Sequence, residues 1–351
     1  MLLPGFGSEG QTQLLGSTAL ILGCGALGTV IANTLVRAGV GHLIIADRDF
    51  IDLTNLQRQV LFDEDDLENP IPKVEAAKQK LARINSQVKV TAVVNDVNYT
   101  NIETLATQAD IIIDAVDNFE TRFLANDCAV KYGIPYVYGG AVGTIGMTFS
   151  VLPHTASGSA AWEKAGIATP CLRCIFEHIP PPGMHPTCDT VGVLGPIVGI
   201  IASYESAEAL KILTHNWQVI NSEMVHIDVW QNQFHSFQIS TAYDAGDCRC
   251  CKRREFAFLE GKVGSTTTVL CGRNAVQLSH KQVGNKINFE HIADRLGEHG
   301  TVKVNRFMLR AQITDGGNPY ELTIFADGRA IVKGTNEPKT AKSMYAKYVG
   351  A

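Results

Sequence analysis

Two cationic side chains, Arg58 and Lys73, belong to a polar stretch that begins at Asp47. It contains D-R-D-F-I-D-L-T-N-L-Q-R-Q-V-L-F and, after an acidic connector, I-P-K-V-E. Near a nucleotide, a guanidinium and an ammonium can neutralise the charge that develops on phosphoryl oxygens in a transition state. Either cation alone would be typical of a solvated, charged surface.

Carboxylates and amides accompany these cations. Asp49 and Asn55 lie within the same stretch, and Asp117 and Asn118 follow a later apolar run that ends at Asp114. An aspartate at the end of a strand can hold Mg²⁺ against phosphoryl oxygens. Two cations with two or three carboxylates favour phosphate chemistry over hydride transfer.

A glycine-rich turn upstream predicts nucleotide binding. The apolar run 17–22 predicts a buried strand, G-C-G-A-L-G follows at 23–28, and 29–38 predicts a helix that ends near Gly39. In this context the helix offers free N–H groups and the positive end of its dipole to phosphate. Asp47 ends the next apolar run, where an acid would reach a ribose hydroxyl. The alternative is a turn that needs glycine only for packing.

The chain has nine cysteines, an odd number that argues against a secreted disulfide scaffold and for metal or thiol chemistry. Cys171 and Cys174 form one C-x-x-C pair, and Cys248 and Cys251 form another. Four thiolates predict a tetrahedral, structural zinc site that ties distant parts of the chain together. Incidental buried thiols are one alternative, and a ligand set that includes Cys250 is another.

A further cysteine, Cys188, lies in P-T-C-D-T-V-G, after a proline-rich loop and before a predicted helix over 195–213. A thiol near a helix N-terminus can have a lowered pKa and react as a thiolate. A buried, inert cysteine is the commoner case, so the spacing leaves both roles open.

Apolar runs that alternate with helical patterns predict the elements that position these residues. Further strands are predicted over 43–46, 88–94, 111–113 and 135–138, with helices over 74–84 and 120–132. The alternation predicts an α/β fold, a doubly wound, Rossmann-like, mainly parallel sheet whose ligands bind at the carboxyl ends of its strands. The small, polar segment 154–168 is predicted to be a mobile loop.

The character of the chain changes at Lys252-Arg253-Arg254, and we divide it there into residues 1–251 and 252–351. The second part predicts a small α+β module of unknown role. Its predicted strands cover 267–270, 307–313, 322–325 and 330–333, and its predicted helices cover 289–296 and 339–348, with a hairpin turn at 326–329.

Composition excludes several classes of protein. The 351 residues carry a net charge of −5, which lacks the basic character of a nucleic-acid-binding protein. The N-terminal sequence does not resemble a signal peptide, and the most apolar run, 193–202, is shorter than the ~20 residues that a membrane span needs. We therefore expect a soluble, cytoplasmic protein without nucleic-acid or membrane partners.

Taken together, these motifs resemble the ThiF/MoeB/HesA family, the bacterial relatives of ubiquitin-activating enzymes. The resemblance covers residues 2–251 and rests on G-C-G-A-L-G, D-R-D, N-L-Q-R-Q, P-K-V-E, D-A-V-D-N-F-E-T-R, the two C-x-x-C pairs and G-V-L-G-P. The tail, with L-C-G-R-N-A-V-Q and D-G-R-A-I-V-K-G-T, resembles the carboxy-terminal extension of some ThiF-type proteins.

The resemblance implies an adenylyltransferase. Such an enzyme uses Mg·ATP to adenylate the C-terminal Gly-Gly carboxylate of a ubiquitin-fold sulfur carrier and releases pyrophosphate. A ThiS-like carrier for thiamine thiazole synthesis is the first expectation, and a MoaD-like carrier for molybdopterin synthesis is the alternative. ATP, Mg²⁺ and Zn²⁺ are the implied cofactors. A homodimer and a sulfur donor such as a cysteine desulfurase are implied as well.

The resemblance also assigns roles by position. Asp47 would bind the ribose, Arg58 and Lys73 would stabilise the attacked α-phosphate and the leaving pyrophosphate, and Asp117 would ligate Mg²⁺. Cys188 matches the reactive cysteine that some members use to transfer sulfur. The complete implied nucleotide-binding set is Gly25, Ala26, Asp47, Asp49, Asn55, Arg58, Lys73, Asp117 and Asn118.

Two further implications concern segments of the chain. The loop 154–168 would cross over the bound tail of the carrier. Family members begin with a segment like Arg-Tyr-x-Arg-Gln, whose basic residue reaches the nucleotide of the partner subunit, whereas this sequence has no arginine before Arg37. Either the start lies upstream or that arginine is absent. A non-catalytic carrier-binding scaffold therefore stays open beside the enzyme, as does an NAD-dependent oxidoreductase from another class.

Overall fold

The computed structural model describes residues 2–3, 5–68, 71–179, 191–263, 267–270, 274–278, 289–325 and 329–349. Cys188 lies outside these ranges, so its predicted role rests on the sequence alone. The chain forms two compact units, Met1–Val263 and Gly264–Ala351. In the described part of the chain, no helix is long and apolar enough to span a membrane.

The first unit is built on an eight-stranded sheet. Its strands are β1 (Thr18–Leu22), β2 (His42–Ala46), β3 (Lys89–Val93), β4 (Ile111–Asp114), β5 (Tyr136–Val142), β6 (Ile145–Val151), β7 (Glu223–Asp228) and β8 (Gln233–Gln238). They lie in the order β3-β2-β1-β4-β5-β6-β7-β8. The pairs from β3 to β5 are parallel and those from β5 to β8 are antiparallel. The predicted doubly wound, mainly parallel sheet is confirmed.

Helices cover both faces of this sheet. They are α1 (Gly7–Gly16), α2 (Ala26–Ala38), α3 (Asp65–Glu68), α4 (Lys73–Ile84), α5 (Ile102–Ala106), α6 (Phe119–Tyr132), α7 (Ala161–Lys164), α8 (Leu172–Ile175), α9 (Gly195–Leu213) and α10 (Thr241–Ala245). Ala19 and Ile21 of β1 pack with residues of α2 and α9, whereas Leu20 and Leu22 pack with residues of α6. All four are buried, as expected for a parallel strand covered on both faces.

The sequence patterns do not reveal α1 or the strands β6 to β8. All six residues of β8, Q-F-H-S-F-Q, are exposed, so the strand has no buried face that a hydrophobic period could report. Strand β6 follows β5 through a tight hairpin in which Val142 pairs with Ile145. Tertiary pairing, and not local pattern, therefore decides this antiparallel half of the sheet.

The segment 154–168 is irregular, as predicted, apart from one helical turn. It contains the one-turn helix α7, and Glu163 of that helix accepts hydrogen bonds from both the N–H and the hydroxyl of Thr155. Trp162 is buried beside it. Internal hydrogen bonds and one aromatic anchor thus give the segment a defined shape, although small and polar residues predominate in its sequence.

This segment also lies at the end of the sheet opposite to the predicted ligand site. Trp162 packs against Trp217 with ring centroids 5.7 Å apart. Together they line a cavity of about 570 Å³ with Asp110 and Pro135, which directly precede β4 and β5. The segment therefore faces the amino ends of the parallel strands. The expectation that it crosses the carrier tail is wrong, because the phosphates would bind at the carboxyl ends.

Residues 252–263 belong to the first unit, whereas the sequence places the boundary after residue 251. Phe258 and Leu259 are each 6% exposed and pack in the core beside α6. The N–H of Phe258 donates to the Asp127 carboxylate at 3.1 Å. The basic run at 252–254 marks a change of composition but not the edge of the core.

In its described residues, the second unit is an antiparallel sheet with two helices, which confirms the α+β character predicted for the tail. Its strands are β9 (Thr267–Leu270), β10 (Ala275–Leu278), β11 (Gly300–Val304), β12 (Met308–Asp315), β13 (Asn318–Phe325) and β14 (Ala330–Lys333), in the order β11-β12-β13-β14-β10-β9. The helices α11 (Phe289–Gly297) and α12 (Pro338–Tyr348) contribute Leu296 and Met344 to its core. Most of the predicted hairpin turn, 326–328, lies outside the described residues.

Candidate functional site

The glycine-rich turn joins β1 to α2, and two of its glycines are required by the fold. Gly23 has a φ of 97°, and a Cβ there would lie 2.4 Å from the Ala115 carbonyl oxygen. A Cβ at Gly28 would lie 2.1 Å from the Gly23 carbonyl oxygen. Only glycine avoids both the strained backbone and the close contacts at these two positions.

Gly25 is different, because packing does not require it. A Cβ at this position would meet no described atom closer than Gln59 Nε2, at 3.8 Å. Gly25 precedes the first residue of α2, and no side chain caps the helix. The first-turn N–H groups are therefore left for another partner. The open space and the uncapped helix end together fit a phosphate group.

Asp47 connects the turn to the end of β2. Its carboxylate accepts hydrogen bonds from the Cys24 N–H at 2.6 Å and from the Asp49 N–H at 2.7 Å. Burial raises the pKa of Asp47, an effect that Lys73 opposes and Asp49 reinforces. One acid thus holds the glycine-rich turn and the start of the polar stretch in a single geometry.

Lys73 is a buried cation held against Asp49. Its Nζ lies 3.3 Å from Asp49 Oδ2, and its backbone N–H donates to the Asp49 carbonyl at 2.9 Å. Only 5% of the Lys73 side chain is exposed. The residue also begins α4, where the helix dipole disfavours a positive charge. A buried ammonium at this end of a helix opposes folding, and ionisable groups in such environments are typical of functional sites.

A 3₁₀ turn at Leu53–Asn55 orients Arg58. Asp52 caps the turn by accepting the Thr54 N–H at 3.0 Å, and the carbonyl of the buried Asn55 accepts the Arg58 N–H at 3.1 Å. The guanidinium donates to the Thr54 carbonyl at 2.9 Å. It forms no ion pair with any carboxylate of the described residues. Its charge is therefore available to an external anion.

Gln59 was not among the predicted site residues, although it belongs to N-L-Q-R-Q. It is 3% exposed, and its Oε1 has no hydrogen-bond partner among the described residues. A buried amide oxygen without a partner is costly. Because the Gln59 amide also adjoins the open space at Gly25, this orphaned atom indicates a ligand group there. The buried amide could be recognised only from its surroundings.

Arg48 and Asp96 add an ion pair at the carboxyl ends of β2 and β3 that was not among the predicted site features. Arg48 Nη1 lies 2.8 Å from Asp96 Oδ1, and its Nε lies 3.8 Å from Asp49 Oδ1. Burial acts to lower the pKa of Arg48, but Asp96, Asp49 and Asp117 together raise it. The sequence signal that could have revealed this pair is position, because Arg48 and Asp96 follow two strands, β2 and β3, that end at the same edge of the sheet.

Asp117 and Asn118 link β4 to α6. Asn118 caps α6 by accepting the Thr121 N–H at 2.9 Å, and its amide lies 3.5 Å from Asp117 Oδ1. Asp117 is exposed and forms no ion pair with the described residues. Its carboxylate can therefore take a metal ion, whereas Asn118 has a role in the fold itself.

Topology brings these residues to the edge formed by the carboxyl ends of β1, β2 and β4. Hydrogen bonds and ion pairs connect Asp47, Asp49 and Lys73 with the glycine-rich turn. Asp117 also lies close enough to Arg48 to raise the pKa of its guanidinium. The edge provides an uncapped helix end, two cations and an exposed carboxylate, and groups of these kinds suit reactions at phosphorus.

A second cluster holds four cysteines. The sulfur atoms of Cys171, Cys174, Cys248 and Cys251 all lie within 4.8 Å of one another. Three of the separations are 3.4, 3.7 and 3.8 Å. A tetrahedron with zinc–sulfur bonds of about 2.3 Å has edges of about 3.8 Å, so the four thiols fit a zinc ion. The fold brings the two distant C-x-x-C pairs together.

Cys250 is not part of this set, which argues against the alternative ligand sets. It is fully buried, and its sulfur accepts a hydrogen bond from Asn126 Nδ2 at 3.3 Å. Asn126 Oδ1 accepts the Leu172 N–H at 2.8 Å. A single side chain of α6 thus contacts both cysteine-containing segments.

Comparison with known proteins identifies relatives. The model of the ThiF family matches residues 1–250. The chain is 40% identical over 346 residues to the sulfur carrier protein ThiS adenylyltransferase of Bacillus subtilis (strain 168). The match covers 98% of this chain and 96% of that protein. It is 33% identical to the SAMP-activating enzyme E1 of Haloferax volcanii, over 69% of this chain and 84% of that one.

Among solved structures, the crystal structure of Escherichia coli MccB with succinimide is similar, with a TM-score of 0.54 and 25% identity over 66% of each chain. The similarity to the Bacillus protein extends through the tail, whereas the match to the family model ends before the second unit.

Proposed function

The chain belongs to the ThiF family, and from this premise we propose that it adenylates the C-terminal carboxylate of a ubiquitin-fold sulfur carrier of the ThiS type, with ATP as the second substrate. The observation that carries the proposal is the similarity to a ThiS adenylyltransferase over 98% of the chain. The site supports it, because an uncapped helix end accompanies a buried ammonium and a guanidinium without a described carboxylate partner.

In the proposed reaction, a carboxylate oxygen of the carrier attacks the α-phosphorus of ATP. A bond forms between that oxygen and the phosphorus, the bond from the α-phosphorus to the bridging oxygen breaks, and pyrophosphate leaves with its electron pair. The product is an acyl-adenylate whose carboxyl carbon is open to attack by a sulfur nucleophile. The attacking carboxylate carries no proton, so the enzyme has to position the reactants and neutralise charge.

Lys73 and Arg58 would neutralise the charge on the α-phosphate and on the leaving pyrophosphate. The Lys73 ammonium can turn toward a phosphate, since its 3.3 Å separation from Asp49 exceeds the about 2.8 Å of a strong charge-assisted hydrogen bond. The N–H groups at Gly25 and Ala26 would bind phosphate oxygens. The ribose would lie against Asp47.

Magnesium would be held by Asp117 together with phosphate oxygens, since Mg²⁺ in nucleotide sites uses few carboxylates. When bound, the ion withdraws charge from those oxygens and favours the departure of pyrophosphate. Asp117 fits this role, because it is an exposed carboxylate in the loop after β4 and has no ion pair in the described chain.

We also propose a structural zinc ion in the four-cysteine cluster. Four protein sulfurs would occupy every position of a tetrahedron, which leaves no open position for a substrate. The ion would tie the segment at Cys171 to the end of the adenylation fold at Cys251.

A ThiS-type carrier would place the reaction in thiamine thiazole synthesis. A MoaD-like carrier for molybdopterin synthesis is the second candidate, because another relative of this chain is named adenylyltransferase and sulfurtransferase MOCS3 and not for ThiS. The acyl-adenylate is common to both pathways, so the identity of the carrier decides between them.

A homodimer and a sulfur donor such as a cysteine desulfurase complete the proposal, with Cys188 as the cysteine that would relay sulfur. Support for a protein-covered surface comes from exposed apolar side chains near the Arg58 turn. Leu53 and Val60, which precede and follow Arg58 in the sequence, are 65% and 62% exposed. Clustered exposed apolar side chains are typical of interaction sites.

Exchange of pyrophosphate into ATP that depends on added carrier tests the function. We expect exchange with a ThiS-like carrier that ends in Gly-Gly, and no exchange when the terminal carboxylate is amidated. Lys73→Met should reduce the rate by about 10²–10³-fold, as expected for loss of one electrostatic group. The matched control Lys80→Met, on the same helix, removes a lysine that pairs with Asp63 and Asp66 and should keep the rate.

Lack of exchange with every Gly-Gly-ended carrier would contradict the enzyme and leave a carrier-binding scaffold. Equal losses in Lys73→Met and Lys80→Met would contradict the assigned site. Mass spectrometry of ThiS-like and MoaD-like carriers after incubation with the protein then identifies the pathway.

A further inference from the structure

A buried arginine lies behind the loop that carries Asp117. Arg122, on the first turn of α6, is 8% exposed. Its Nη2 donates to the carbonyls of Val116 at 2.8 Å and Gly139 at 2.9 Å, and its Nη1 donates to the Tyr138 hydroxyl at 3.3 Å. One guanidinium therefore ties the residue before Asp117 to strand β5.

Asp114 holds the same peptide from the other side. It is 1% exposed at the end of β4, and its Oδ1 accepts the Val116 N–H at 3.1 Å. Its Oδ2 lies 3.4 Å from Arg122 Nε and accepts a hydrogen bond from the Tyr136 hydroxyl. The N–H and the carbonyl of Val116 are thus held by the two partners of one buried ion pair.

The end of a β-strand does not require a buried ion pair such as that of Arg122 and Asp114. A buried charge must be paired and hydrogen-bonded, and here each partner of the ion pair uses one bond to hold the Val116 peptide. Their other bonds reach Tyr136, Tyr138 and Gly139 of β5. The rings of Tyr138 and Phe119 also contact the guanidinium, with centroids 4.9 and 5.5 Å from Arg122 Cζ. The exposed Asp117 therefore projects from a backbone that is fixed immediately before it by Arg122 and Asp114.

We propose that Arg122 is a positioning residue that fixes the Val116 peptide and thereby aims the Asp117 carboxylate at Mg·ATP. The inference rests on the proposed function in one respect, that the ligand of Asp117 is the nucleotide-bound magnesium ion. Partners that orient a metal ligand typically contribute 10–100-fold to metal affinity or activity. Arg122 would act entirely through the loop and would not touch the substrate.

The chain offers a matched control at the other end of the same helix. Arg254 donates to the carbonyls of Val130 at 2.9 Å and Lys131 at 3.2 Å, near the C-terminus of α6. Both arginines thus bridge two backbone carbonyls, but only Arg122 bonds to the loop before Asp117. Lysine cannot reproduce the planar, two-carbonyl geometry at either position.

The test compares Arg122→Lys with Arg254→Lys in the full chain. Titration of Mg²⁺ into protein with a non-hydrolysable ATP analogue should show magnesium affinity about tenfold weaker or more for Arg122→Lys and unchanged for Arg254→Lys. Hydrogen exchange without ligands should accelerate at the amides of 115–118 in the first variant and near 130–133 in the second. Carrier-dependent exchange should need more Mg²⁺ in Arg122→Lys, with the KM for carrier within about twofold of the parent.

Equal magnesium affinities in the two variants would overturn the proposal and leave Arg122 with a role in stability alone. If Arg122→Lys does not fold, Asp114→Asn decides the question, because it keeps the volume and removes the charge that pairs with Arg122, while its amide oxygen can still accept the Val116 N–H. We expect a weakened magnesium affinity there too, and an unchanged one would overturn the proposal. If the parent protein shows no exchange with any carrier, the proposed function fails, while the magnesium titration still decides the role of Arg122.

Discussion

At the scale of single residues, the glycine-rich turn separates the requirements of folding from those of binding. Gly23 and Gly28 are required because a Cβ would collide with backbone oxygens. At Gly25 the nearest described contact of an added Cβ would be Gln59 Nε2, 3.8 Å away, so packing does not demand glycine there. The open space fits a ligand that approaches the backbone closely.

Gly25→Ala should therefore impair binding but not folding. We expect a Tm within about 2 °C of the parent, because no more than about 0.5 kcal/mol of stability should change. The KM for ATP should rise about tenfold, equivalent to about 1.4 kcal/mol, because the methyl group occupies the phosphate position. Gly28→Ala is the control, and its collision at 2.1 Å should lower stability by about 1–3 kcal/mol. A common loss of Tm in both variants would contradict this separation.

At the scale of elements, α9 packs against β5 through an acid. Glu205 is fully buried, and neither of its carboxyl oxygens has a hydrogen-bond partner among the described residues. A Cβ at Gly139 of β5 would lie 2.2 Å from the carboxyl carbon of Glu205, so the helix and the strand are in close contact here. Burial raises the pKa of Glu205 well above its usual range, Asp114 reinforces this, and Arg122 opposes it.

This packing predicts a dependence of stability on pH. Because the pKa of Glu205 is higher in the folded state, the unfolded chain loses its proton first as the pH rises above 4.5, the ordinary value for this group. The contribution of Glu205 to stability is therefore present at low pH and is lost as the pH rises toward the folded pKa. Glu205→Gln, which cannot ionise, should gain stability over the parent between about pH 5 and pH 8, measured by urea unfolding.

Glu208 provides the control on the same helix. Its carboxylate pairs with Lys211 at 2.5 Å and accepts the Asn221 N–H at 3.0 Å. Glu208→Gln should lower stability at neutral pH, since the variant loses the charge that pairs with Lys211. A Glu205→Gln variant whose advantage did not grow with pH would show that this acid is not neutral in the fold.

A second prediction at this scale concerns the cysteine cluster. We expect one zinc ion per chain by metal analysis, and chelation should unfold the region around Cys171 and Cys248, because metal binding and folding are coupled. Cys248→Ser should lose the metal, whereas Cys250→Ala should keep it. Loss of zinc in Cys250→Ala would restore the alternative ligand set, and a metal-free protein after gentle purification would exclude the zinc site.

At the scale of the whole molecule, each unit has its own hydrophobic core. The family model matches residues 1–250, but the compact first unit continues to Val263. The difference lies in the short segment that contains Phe258 and Leu259, which cover α6. The family model therefore ends within the first unit, whereas the packing of Phe258 and Leu259 extends that unit to Val263.

Truncation tests this boundary. A chain ending at Val263 should unfold cooperatively and keep carrier-dependent exchange, because it retains the complete first core. A chain ending at Cys251 should be less stable by several kcal/mol, since it loses two buried side chains worth about 1.5–3 kcal/mol each. Urea unfolding of the two truncated chains measures the difference. Equal stability would show that residues 252–263 contribute nothing to the core.

The sequence by itself determined the parallel half of the sheet, the glycine-rich turn, the two C-x-x-C pairs and the charged residues around Lys73. These features are encoded locally, since hydrophobic period, glycine spacing and charge can be recognised in short windows. The family resemblance was equally accessible, because it consists of such short motifs.

Only the tertiary structure decided the rest. The fully exposed strand β8 and its neighbours have no local signature, and the segment 154–168 proved to lie at the wrong end of the sheet for its expected role. Burial and contacts with distant parts of the chain are what identify three residues of the site: Gln59, Arg48 and Arg122. Non-local contacts set the energy of a buried polar group, and no window of sequence contains them.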